Sequence, residues 1–165
     1  MSKKDNHLIS QYYTQQSVIT DPAMYSHLFD PLPSDLPSLV KTVQGLLVSL
    51  PWEDAYELDT PQERQGEINL RTVPEMLKRV LELDSSSLTL MRQPQKRKVS
   101  LCRDFAVLLV SILRHQGVPA RVRVGFAGYY RAEIPRYWDH RIAEYWDKEL
   151  NHWVFVDAMT EEPIL

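Results

Sequence analysis

The sequence predicts an α+β domain, and three observations carry that prediction. Apolar residues recur at helical spacing over residues 36–50 and again over 76–83. A third helical run, residues 102–116, is followed by Gly117 and then Pro119, a common stop signal. Beyond it the pattern changes to alternation, over residues 121–126, 139–146 and 152–158. Helices first and antiparallel strands afterwards is the order of an α+β fold. At 165 residues the chain has the length of one domain, taking roughly 150 residues per domain as a prior.

The elements follow in three blocks. Residues 1–61 hold six of the eleven prolines and read as a helical N-terminal extension. Within it Leu36, Leu39, Val40, Val43, Leu46, Leu47 and Leu50 form one helical stripe, with Ser34 as the expected N-cap and Pro37 in the first turn. Tyr12, Tyr13, Tyr25 and Phe29 are expected to lie over the core. Residues 62–98 are read as a helix and a basic loop. Thr72-Val73-Pro74-Glu75 has capping-box spacing with proline in the first turn, and Met76, Leu77, Val80 and Leu81 supply the apolar face. Ser85-Ser86-Ser87 ends that helix, and residues 88–91 read as a short strand. Arg92, Lys96, Arg97 and Lys98 then suggest a solvated loop, or alternatively a basic rim for an anionic substrate. Residues 99–159 form the third and most regular block.

Composition excludes several classes. The chain is 44% hydrophobic and 25% charged, close to globular averages. A net charge of −3 and a pI near 5.9 argue against a general nucleic-acid binder. No apolar run approaches the ~18–20 residues that span a bilayer, and the polar start shows no secretory h-region. The single cysteine excludes an internal disulfide, so a reducing, cytoplasmic location is expected, with no nucleic-acid or membrane partner.

That cysteine, Cys102, falls at the start of the third helix. There the helix dipole, free N–H groups and the cationic residues upstream would favour a thiolate. The competing reading is a small buried apolar thiol. A nucleophile needs a base. His115 lies thirteen residues along the same helix, roughly 20 Å away at 1.5 Å per residue. His7 and His27 sit in the irregular first block. A hairpin centred between Lys148 and Glu149 pairs positions whose numbers sum to 297, which sets His140 opposite Asp157 on one face. His152, five positions from Asp157, points to the other face. An Asp beside the imidazole would accept its Nδ1–H and stabilise the imidazolium. Glu144, on the same face as His140, is expected to be structural or a supporting acceptor.

The third block resembles the transglutaminase-like superfamily, whose fold is related to that of papain-like cysteine proteases. The stretches that carry the likeness are Cys102-Arg103-Asp104-Phe105-Ala106, Leu113-Arg114-His115-Gln116-Gly117-Val118-Pro119-Ala120-Arg121-Val122, Asp139-His140 through Glu144-Tyr145-Trp146, and Trp153-Val154-Phe155-Val156-Asp157-Ala158. The resemblance implies a papain/transglutaminase-like α+β fold, with N-terminal helices, the nucleophile helix among them, packed on a small antiparallel sheet. It implies Cys102 as nucleophile, His140 as base and acid, and Asp157 as orienting carboxylate, with an amide in a peptide, protein or small molecule as substrate. A thioester intermediate would pass to water or an amine, with neither metal nor cofactor. The Cys102 backbone N–H would be one oxyanion donor, and Trp52 or Asn69 a second. Tyr129, Tyr130, Tyr137 and Trp138 flank His140 and either face the substrate or cover the core. The alternative function is a binding or scaffolding module without turnover.

Overall fold

A computed structural model describes residues 11–50, 62–128 and 137–160. The first long helix, α1, is Leu36–Leu46. Its N-cap is Asp35, one residue later than Ser34, because the Asp35 carboxylate accepts the Ser38 N–H at 2.9 Å. The apolar stripe expected to run to residue 50 leaves the helix after Leu46. Leu47–Ser49 forms a strand, β1, with all three residues buried, and pairs in parallel with β2, Lys98–Ser100. A crossing segment explains the early stop. Arg92 N–H takes the Gly45 carbonyl at 3.2 Å, and a Cβ at Gly45 would meet the Met91 Cα at 3.2 Å. A fully buried apolar run does not itself distinguish helix from strand.

Helix α2, Val73–Leu83, has the expected capping box. Thr72 Oγ1 accepts Glu75 N–H at 3.5 Å, and Glu75 Oε2 accepts Thr72 N–H at 3.0 Å. Val73, Met76, Leu77 and Val80 are buried. The short strand expected at residues 88–91 is a turn instead, closed by Leu90 N–H on Ser87 O at 3.1 Å.

The basic run that follows is neither a solvated loop nor a rim. Arg92, Arg97 and Lys98 are only 3%, 9% and 0% exposed. Arg92 Nη2 donates to the carbonyls of Asp84 and Ser86 at 3.1 and 2.9 Å, and Arg97 Nε donates to the Arg92 carbonyl at 2.8 Å. These cations satisfy backbone acceptors that turns and strand ends leave unpaired. Lys96 alone of the four stays at the surface, 3.3 Å from Asp84.

Helix α3, Cys102–His115, is the central element, buried along most of its length. Gly117 stops the chain's helical course at φ +74°, a conformation that favours glycine. Strands β3 (Ala120–Ala127), β4 (Trp138–Asp147) and β5 (His152–Val156) form an antiparallel sheet in the order β3-β4-β5. Ala120, Ala143 and Val156 share one face of it and join Phe105, Leu108, Leu109 and Ile112 of α3 in the core.

The β4–β5 register differs from the expected one by two. Ala143 faces Val156 and Asp147 faces His152, so paired numbers sum to 299. The cause is the loop. Asp147 Oδ1 accepts the N–H groups of Glu149 and Leu150 at 2.8 and 2.9 Å, and Asn151 takes φ +54°. Four residues, 148–151, therefore connect the strands, and the centre of the hairpin moves one position on from the Lys148–Glu149 junction. A shift of two preserves the face, so His140 and Asp157 still lie on the same side.

Candidate active site

The N-cap of α3 is Leu101, in extended conformation, and Cys102 is the first helical residue. Its thiol is partly exposed. Burial pushes the thiol pKa up. Hydrogen bonding with the His140 imidazole and the Arg141 backbone N–H, with smaller help from the His140 charge and the Arg141 side chain, outweighs burial and holds it below the ordinary value. The Arg141 N–H lies at a point of β4 beyond the last β4–β5 pair, Ala143 with Val156.

His140 is 5% exposed and Asp157 2%. Asp157 Oδ2 lies 2.7 Å from His140 Nε2. The contact uses the far ring nitrogen, where the sequence suggested Nδ1. The register accounts for this, since continuing it sets Asp157 opposite Ile142, diagonal to His140 and short of the position facing it, just past the end of β5. With Nε2 engaged, Nδ1 is the ring nitrogen left for the thiol. Asp157 Oδ1 accepts Met159 N–H at 3.0 Å, which fixes the carboxylate. Burial lowers the His140 pKa, but the bonds to Asp157 and then Cys102, with both their charges, raise it to about 9. The structure thus brings together the three residues picked from the sequence, and biases the pair towards thiolate and imidazolium.

Two neighbours escaped the sequence reading. Arg141 meets the thiol partly through its backbone N–H, a contact that no residue-type pattern can signal, while its guanidinium bonds Asp139 at 2.8 Å. Asp104 is fully buried. Its Oδ2 accepts Leu101 N–H at 3.2 Å and Lys98 Nζ at 3.3 Å, and its Oδ1 accepts Arg103 Nε at 3.0 Å. An acidic residue three positions after a helix N-cap was the signal available for it. Burial depresses the Lys98 pKa, and the Asp104 charge opposes that shift.

The remaining candidates separate cleanly. His115 bonds Asp30 at 3.0 Å, His27 lies 3.0 Å from the Met24 carbonyl and His152 lies 3.2 Å from the Leu150 carbonyl. Glu144 is structural. It faces Arg121 across the sheet and accepts its Nε at 2.6 Å, while the Arg121 guanidinium lies 4.0 Å from the Trp153 ring centroid. Asn69 ends a 3₁₀ segment, Gln62–Asn69, whose Ile68 carbonyl accepts Arg103 Nη2 at 2.8 Å, so it is tied near the start of α3. Trp52, Tyr129, Tyr130 and His7 lie outside the described residues. Tyr137 and Trp138 are 78% and 45% exposed at the entry to β4. Among the described residues no cluster of three or more His, Cys, Asp or Glu side chains is arranged to hold a metal ion, and no helix is long and apolar enough to cross a membrane.

Residues 82–158 match the family described as the Transglutaminase-like superfamily. The fold is similar to a solved structure from Cytophaga hutchinsonii named as a "Putative Cysteine Protease", with a TM-score of 0.54 at 14% identity. The alignment covers 89% of this chain, which spans 40% of the length of that one. No curated protein matches the sequence.

Proposed function

With a transglutaminase-like superfamily domain at residues 82–158 and a papain/transglutaminase-like α+β fold as the premise, we propose that this protein is a cysteine enzyme acting on amide bonds. The observation that carries the reading is the chain of contacts from Cys102 through His140 to Asp157. Each member has a role in that chemistry. The Cys102 thiolate attacks the amide carbonyl carbon, and the carbonyl π electrons move to oxygen. The donor assigned to that developing charge is the backbone N–H of Cys102, the first residue of α3. His140 imidazolium gives its proton to the departing nitrogen as the C–N bond breaks, leaving a thioester on Cys102 and a neutral amine. Neutral His140 then takes a proton from water or an acceptor amine, which attacks the thioester and releases the thiolate. Asp157 keeps the ring oriented and stabilises its charged form.

Alkylation of Cys102 by iodoacetamide between pH 4 and 10 tests this without a substrate. The expected result is a reaction midpoint well below the ~8.5 of a free thiol, moving up towards it in His140→Ala. An unperturbed thiol, indifferent to the histidine, would favour a binding module without turnover.

A further inference from the structure

The cap of α3 is unusual for a helix of fourteen residues. Leu101 has no side-chain oxygen to place on the N–H groups of the first turn, and no side-chain cap bond forms from it. Ser, Thr, Asp or Asn at this position would occupy those groups. The turn is held from the other direction instead. Asp104 reaches back to the Leu101 N–H at 3.2 Å, while its own N–H bonds the Leu101 carbonyl at 2.8 Å.

A carboxylate that is fully buried two residues from a thiolate is costly unless neutralised. Lys98 provides the neutralising charge. It is also 0% exposed, and its Nζ donates to Asp104 Oδ2 at 3.3 Å, Ser100 Oγ at 3.2 Å and Val99 O at 3.1 Å. Ser100 Oγ in turn donates to the Lys98 carbonyl at 3.1 Å. On its other oxygen Asp104 takes Arg103 Nε and Nη2 at 3.0 and 2.9 Å. Two cations thus flank one buried anion, and the whole group spans the last strand residues before Cys102 and the first turn after it.

We propose that the buried Lys98–Asp104 pair is the positioning element of the nucleophile. It fixes the turn that carries Cys102, leaves the Cys102 and Arg103 N–H groups without a side-chain cap and so open to a developing oxyanion, and prevents the Asp104 charge from opposing the thiolate. Neither residue touches the reacting atoms. The inference rests on the reading of Cys102 as nucleophile.

The test compares thiol alkylation in the parent, in Lys98→Met, and in the double variant Lys98→Met/Asp104→Leu, with circular dichroism and melting as checks of the fold. The double variant removes both charges together, so no unpaired ion remains buried. Lys98→Met leaves Asp104 its Arg103 partner and supplies the readout where the double variant does not fold. The expected result is a midpoint for iodoacetamide alkylation about one unit or more above the parent's in a variant that retains its helical signal. A pair with a purely structural role would lower the melting temperature and leave that midpoint where it was. A perturbed parent thiol with unchanged variants therefore overturns this inference alone. An unperturbed parent thiol overturns the proposed function and this inference with it.

Discussion

At Cys102 the environment contains two cations of different kinds. His140 is held by Asp157 and its pKa is raised to about 9, whereas Arg141 is paired outward with Asp139 at 2.8 Å. The two should be separable by the charge of the reagent. Iodoacetate and iodoacetamide attack the same thiolate, but only the first senses the local potential. Arg141→Gln is expected to lower the iodoacetate-to-iodoacetamide rate ratio and Asp139→Asn to raise it. Equal ratios in the parent and both variants would remove Arg141 from the electrostatics of the site. Cys102→Ala is expected to end all amide chemistry while costing about 1 kcal/mol or less in urea denaturation, because the side chain is partly exposed. Retained activity in that variant would exclude the thiol mechanism. The shared face of His140 and Asp157 was legible from the sequence because their spacing obeys strand parity, whereas Cys102 was singled out by its place at the start of α3. An error of two in register left the face unchanged, and only the identity of the ring nitrogen was lost with it.

At the scale of elements, legibility followed the strength of local rules. The Thr72–Glu75 box and the Gly117 stop are set within a few residues and were read correctly. Strand β1 was not, because its pairing partner lies fifty-one residues away at β2 and its sequence continues a helical stripe. The buried arginines were missed for a related reason, since a cationic run carries no sign of the carbonyls that will receive it. Glu67 illustrates the long-range term. It is 6% exposed, accepts Arg64 Nε at 2.8 Å and Arg79 Nε at 2.9 Å, and takes the Val99 N–H at 2.8 Å. It therefore joins the Gln62–Asn69 segment, α2 and β2, the strand that leads to Cys102. Glu67→Ala leaves the Val99 N–H without its acceptor and removes the carboxylate that Arg64 and Arg79 share, although Arg64 keeps the Gln95 and Arg97 carbonyls and Arg79 keeps Glu82. It is expected to destabilise by about 3 kcal/mol in urea denaturation. Thr72→Ala, which removes one half of an exposed cap, is expected to cost about 1 kcal/mol. If the two variants cost the same, the Glu67 network contributes no more than a helix cap does.

For the whole molecule, charge and proton balance connect the site to stability. His140 taken alone has its pKa raised from 6.5 to about 9 on folding, so its contribution is complete below pH 6.5 and is lost as pH rises through about 9. Cys102 has the opposite sign. Its pKa is lowered from 9.0, so its contribution is present above pH 9 and is lost as pH falls through the lowered value. In the window below pH 9 where the folded pair is thiolate and imidazolium and the unfolded pair is thiol and neutral imidazole, both states bind the same number of protons. The two contributions then offset each other, and the parent's stability should be nearly independent of the pair within that window. Cys102→Ala deletes only the thiol, while Asp157 continues to raise the His140 pKa. Its stability should therefore decline as pH rises over that window, and the parent should gain on it steadily up to pH 9. Urea denaturation of both proteins at pH 6, 7, 8 and 9 measures this directly. Parallel profiles would mean that the thiol titrates alike in the folded and unfolded chains, which is incompatible with a stabilised thiolate.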